Sequence, residues 1–125
     1  MPRVLVVEKD AAMRGLMEIM FSGAGNEVTS VETSAHAGAE LALGGRRDWI
    51  IKGSDSGNDP GSCDLLKHLE KTPGHRPVSG VVIATFLPGY AQEEIAKLGL
   101  KAVRPEISGK DPAALKTLAR KITLG

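Results

Sequence analysis

The residues of this chain that could do chemistry fall into short polar clusters, each directly after an apolar run. Val4-Leu5-Val6-Val7 leads into Glu8-Lys9-Asp10, and Trp49-Ile50-Ile51 into Lys52-Gly53-Ser54-Asp55. Val81-Val82-Ile83-Ala84 leads into Thr85-Phe86, and Lys101-Ala102-Val103 into Arg104-Pro105. Asp55 is placed to swing back toward Glu8 and Asp10 and build an acidic pocket with them. The stretch Ser54-Asp55-Ser56-Gly57-Asn58-Asp59 has a calcium-loop look, but it lacks the ligand spacing and the closing bidentate glutamate of an EF-hand. It reads as a turn rich in Asx and glycine. Other chemistries find no support. His36, His68 and His75 share no metal-ligand spacing, and Cys63 has no CxxC partner. Gly53, Gly57 and Gly61 recur every four residues without the Gly-Lys-Ser/Thr that ends a phosphate-binding loop. No serine sits in a Gly-x-Ser-x-Gly elbow.

The elements that must carry these clusters alternate between strand and helix. Val4 to Val7 is a short continuous apolar run, as in a strand covered on both faces. Asp10 can cap a helix whose Met13, Leu16, Met17 and Met20 recur at i, i+3, i+4 and i+7, with Gly23 and Gly25 ending it. Glu27 to Val31 alternates polar and apolar residues, which suits an edge strand. Ser34 to Leu43 reads as a helix stopped by Gly44-Gly45. Trp49 to Ile51 is a strand, followed by a polar turn from Gly53 to Gly61. Leu65, Leu66 and Leu69 mark the next helix, closed by Thr72-Pro73-Gly74. Val81 to Ala84 is a strand, Ala91, Ile95 and Leu98 mark a helix, and Lys101 to Arg104 is a last edge strand. Asp111-Pro112 opens a helix with Leu115, Leu118 and Ile122 on one face. Five such units without a linker predict one domain over residues 1–125, a parallel sheet with helices on both faces. Ligands of such sheets bind beyond the C-terminal strand ends, where all four clusters lie.

Composition narrows the function classes. The chain has 125 residues, 42% hydrophobic and 25% charged, with only 3% aromatic, so the core must be aliphatic. A formal charge of +1 argues against a nucleic-acid binder that works by bulk charge. A single cysteine excludes a disulfide scaffold and fits a reducing compartment. No apolar run reaches the roughly 18 residues of a membrane span, and the N-terminus has no signal-peptide pattern. The near-zero net charge conceals an asymmetry. From Lys97 onward there are seven basic and two acidic residues, a sum of +5, against nine basic and thirteen acidic before it, a sum of −4.

The hydrophobic strand running into Glu8-Lys9-Asp10, Gly53 forty-five positions on and eight before Gly61, Thr85 after the fourth strand and Arg104-Pro105 after the fifth resemble, in that order and spacing, a CheY-like response-regulator receiver domain. The resemblance covers the whole chain. It implies a flavodoxin-like α/β fold, a doubly wound five-stranded parallel sheet in order 2-1-3-4-5 with five helices, in a cytoplasmic bacterial two-component system. It also implies a phosphorylation site built from an acceptor aspartate, two further carboxylates for Mg²⁺, a lysine and a hydroxyl.

This sequence departs from that pattern where the chemistry should be. The acceptor position reads Gly53, and a slip of one residue would read Ser54, which forms no acyl phosphate. The acidic pair reads Glu8 and Lys9, and Arg104 replaces the expected lysine with a planar fork. Three carboxylates would offer about −3 to a divalent cation, whereas Glu8, Lys9 and Gly53 sum to about zero. The aromatic of the fifth strand is missing and Thr85 remains.

The resemblance therefore implies a degenerate pseudo-receiver, not an enzyme, with no cofactor. Glu8, Lys9, Asp10, Gly53, Asp55, Thr85 and Arg104 form its remnant pocket, and the Lys9 ammonium is expected to pair with Glu8 or Asp55. No metal is expected, Glu8 and Asp55 being the carboxylates left for one. The expected function is a phosphorylation-independent signalling module. It would bind a protein partner, or a second copy, through the fourth-helix, fifth-strand, fifth-helix face. Lys97, Lys101, Arg104, Lys110, Lys116 and Arg120 lie there, and neither an aromatic platform nor a recognition helix points to nucleic acid. Two alternatives stay open. One is residual phosphoryl acceptance at Asp55 with Mg²⁺. The other is a small-ligand module using space vacated at Gly53.

Overall fold

The structure, a computed structural model, describes residues 1–53, 63–83, 89–103 and 112–124. Strands and helices alternate through the chain. β1 (Arg3–Val7) is followed by α1 (Ala11–Gly23), β2 (Glu27–Val31), α2 (Ser34–Gly44), β3 (Trp49–Lys52) and α3 (Cys63–Lys71). A 3₁₀ turn at Pro73–His75 leads to β4 (Gly80–Ile83), α4 (Gly89–Lys97), β5 (Lys101–Val103) and α5 (Pro112–Leu124). All strand pairs are parallel and the order is β2-β1-β3-β4-β5, as expected from the sequence.

Local chemistry sets the boundaries. Asp10 accepts a hydrogen bond from the Ala12 N–H at 3.0 Å and starts α1. Thr33 does the same for α2 through His36 N–H at 3.2 Å, and α2 ends at Gly45, whose φ of +80° favours glycine. The helix predicted from Ser34 thus has its cap one residue earlier. β3 extends one residue beyond the apolar run, to include Lys52, and β4 begins one residue earlier, at Gly80. A Cβ at Gly80 would lie 2.3 Å from the Lys101 carbonyl oxygen, so the β4–β5 approach requires glycine there.

Strand alternation sorts the core into two faces. Val4, Val6, Trp49 and Ile51 pack with Met17 and Phe21 of α1 and Leu118, Ala119 and Ile122 of α5. Leu5, Val7, Ile50 and Val81 pack with Ala37 and Leu41 of α2, Leu65 and Leu69 of α3 and Ile95 of α4. Only Met17 and Phe21 of α1 are fully covered, while Met13, Leu16 and Met20 flank them. The α1–β2 turn is tied to α5 by the buried Asn26. Its amide donates to the Phe21 carbonyl at 2.9 Å and to Thr123 Oγ1 at 2.8 Å. Beside α3, His68 Nε2 meets His75 Nδ1 at 2.8 Å, and the Arg76 guanidinium donates to the carbonyls of Leu69 and Glu70. Burial first, then the neighbouring His75, holds the His68 imidazolium below its ordinary range.

Candidate functional site

The register of the sheet places the first two clusters side by side. Val7 is level with Lys52, and the Gly53 N–H donates to the Val7 carbonyl at 2.8 Å, so Glu8 and Gly53 leave the sheet together. Glu8 N–H in turn donates to the Val31 carbonyl at 2.9 Å, which extends the β1–β2 ladder by one bond. This is the C-terminal end of the strands, beside the point where the strand order reverses.

Glu8 is 3% exposed, and its carboxylate lies against Gly53. A Cβ built on Gly53 would stand 2.1 Å from Glu8 Oε2 and 3.0 Å from its Cδ. The space a side chain at position 53 would occupy is thus filled by a carboxylate from the neighbouring strand. The expected vacancy at Gly53 does not exist, because Glu8 is long enough to reach across and fill it.

Lys9 is exposed, and no carboxylate among the described residues pairs with it. Of the two partners expected for it, Glu8 is not paired with it in the described structure and Asp55 lies outside the described residues. The buried cation here is Lys52, 2% exposed, which the apolar pattern of the sequence leaves outside the strand. Its Nζ donates to the Gly53 carbonyl at 2.7 Å. Lys52 and Gly53 point to opposite faces of β3, so Lys52 lies on the side of α2, α3 and α4, and Glu8 on the side of α1 and α5.

Asp10 is exposed and caps α1, so its carboxylate is turned to the helix rather than to Gly53. Arg14, which sequence analysis missed, braces the loop between them. Its guanidinium donates to the Glu8 carbonyl at 2.9 Å and the Lys9 carbonyl at 3.4 Å, and lies 3.8 Å from the Glu32 carboxylate. The only sequence signal was a basic residue one helical turn after a cap.

The structure brings Glu8 and Gly53 together and turns Lys9 and Asp10 outward. Asp55, Thr85 and Arg104 lie outside the described residues. The described donors do not fit the Mg²⁺ that the fold implies. One carboxylate is packed on glycine and a second caps a helix. Of the basic face, Lys97, Lys101, Lys116 and Arg120 are exposed, and Arg104 and Lys110 fall outside the described residues. Lys97 approaches Glu94 at 3.2 Å on the same helix, a pair of little energetic weight in water.

No protein-family profile matches this chain, and no curated protein matches it in sequence. Solved structures do match it in shape. The chemotaxis protein CheY4 of Vibrio cholerae superposes with a TM-score of 0.73 at 17% identity, over 98% of each chain. The response regulator domain of Thermotoga maritima CheB gives 0.69 at 19% identity, over 98% of this chain and 94% of that one. A putative pilus assembly protein from Burkholderia thailandensis gives 0.62 at 17% identity, over the whole of both chains. No helix among the described residues is long and apolar enough to cross a membrane. The chain has the flavodoxin-like fold of CheY-type response-regulator receiver domains.

Proposed function

We propose that this chain is a receiver-like signalling module that works without phosphorylation, as a binding domain rather than an enzyme. The observation that carries this reading is the Glu8 carboxylate packed into the side-chain space of Gly53. Phosphoryl transfer to a receiver depends on an acceptor oxygen held in a cation-binding pocket. Position 53 offers no side-chain oxygen, and the buried carboxylate beside it is enclosed. The buried Lys52 ammonium, at the end of the same strand, donates to the Gly53 carbonyl. In that reading Glu8 holds the strand ends in one arrangement, and the state of the module is set by a partner.

The partner is a protein, docking on α4, β5 and α5, where exposed Lys97, Lys101, Lys116 and Arg120 favour an acidic surface. The similar folds of response regulators support a role in two-component signalling inside the bacterial cell.

Mg²⁺ with beryllofluoride, a phosphoryl mimic, tests the reading. Amide resonances of residues 50–55 and of Thr85 are expected to stay in place as both are added. Saturable shifts there would overturn the proposal and favour phosphoryl acceptance at Asp55.

A further inference from the structure

His68 and His75 stand seven positions apart in the chain, and the turn between them brings their rings together. His68 lies in the last turn of α3, and His75 ends the 3₁₀ turn that follows. The backbone joining them is hydrogen-bonded throughout. Thr72 N–H donates to the His68 carbonyl at 2.9 Å, His75 N–H to the Thr72 carbonyl at 2.9 Å, and Arg76 N–H to the Pro73 carbonyl at 3.2 Å. The His68 ring also stands against α2, where a Cβ on Gly38 would come within 3.3 Å of Cε1. The neighbouring Arg76 guanidinium is engaged by the carbonyls of Leu69 and Glu70. Two half-buried imidazoles are thus held with His68 Nε2 and His75 Nδ1 2.8 Å apart and their planes inclined by 37°.

That separation matches the bite of a chelate. An imidazole nitrogen sits about 2.0–2.1 Å from a late divalent metal ion, so two at right angles around it stand about 2.8–3.0 Å apart. A tetrahedral ion would need about 3.3–3.4 Å. Right-angled nitrogen donors suit Cu²⁺ and Ni²⁺, whereas Mg²⁺ and Ca²⁺ seek oxygen. We propose that His68 and His75 together bind a late transition-metal ion of this kind, which clamps the end of α3 to the turn leading into β4. In the pair as it stands, one ring donates its N–H to the other. On binding, that proton moves to the other nitrogen of its own ring and the rings turn slightly, so both facing nitrogens become ligands and no net proton is released. Among the described residues no third His, Cys, Asp or Glu joins them, so water takes the remaining positions and the ion is exchangeable. The site lies between the end of α3 and the start of β4, at the opposite end of the sheet from Glu8 and Gly53.

Calorimetric titration of the full chain with Ni²⁺ at about pH 8, where imidazoles are neutral, tests this. The wild type is expected to bind one ion saturably and to melt at a higher temperature with it. His68→Gln and His75→Gln are each expected to weaken binding by more than about tenfold, a loss that even outer partners of a metal ligand can cause, and to abolish the thermal shift. His36→Gln is expected to leave both unchanged. Electron paramagnetic resonance of the wild type with equimolar Cu²⁺ is expected to show two coupled imidazole nitrogens, a readout independent of how stable the variants are. A wild type that does not bind Ni²⁺ saturably overturns the proposal. So does binding that survives either substitution, or coupling to a single nitrogen.

Discussion

Glu8 and Gly53 form a compensating pair, a long carboxylate beside a residue with no side chain. Gly53→Ala is expected to destabilise the fold by about 1–3 kcal/mol, since the new methyl group must expel the buried carboxylate. In a Glu8→Ala background the same change should be close to neutral, and the non-additivity in urea unfolding measures the coupling. Gly53→Asp alone should gain no phosphoryl acceptance, because Glu8 already fills the place of its side chain. His68 offers a second check at this scale. Its folded pKa lies below its ordinary value of 6.5, so the folded chain binds fewer protons than the unfolded chain in that range. The associated stability is present above 6.5 and is lost as pH falls through the lowered value. Melting temperature should fall as pH is lowered below 6.5, and His68→Gln should flatten the slope.

At the scale of elements, α1 and α5 depend on a few side chains that join distant segments. Asn26 donates to Thr123, ninety-seven residues away, and to the end of α1. Asn26→Ala should lower stability by about 1–3 kcal/mol, read by urea unfolding, because buried acceptors lose their donor. Phe21, fully buried between α1 and the sheet, should cost about 3–5 kcal/mol on truncation to alanine. The extent of the strands was legible where apolar runs were continuous, as in Val4 to Val7. It failed at Lys52. A lysine after Ile51 reads as the start of a turn, yet its backbone pairs with Val7 on one side and Ile83 on the other. Those neighbours lie forty-five and thirty-one positions away in the chain, so no local pattern announces them.

On the scale of the whole molecule, charge is divided along the chain. The last quarter carries +5 and ends on α5, whose Lys116 and Arg120 are exposed one helical turn apart. Reversing both to glutamate should leave stability within about 0.5 kcal/mol, as for most exposed substitutions. If this face docks an acidic partner, the same variant should bind it far more weakly, which a pull-down at low salt would register. The resemblance read from four separated clusters led to the right topology because spacing along the chain is what a doubly wound sheet preserves.

The order 2-1-3-4-5 came from the family resemblance, while the sequence by itself determined the alternation of strands and helices, the weakly apolar edge strands and the absence of a side-chain carboxylate at position 53. Those properties follow from hydrophobic periodicity, capping and residue identity, which are local. Tertiary structure decided which charges are buried. Glu8 and Lys52 are enclosed while Lys9 and Asp10 face water. Burial depends on what strands and helices far along the chain bring to the same place. The gap expected at Gly53 is therefore filled by a side chain from another strand.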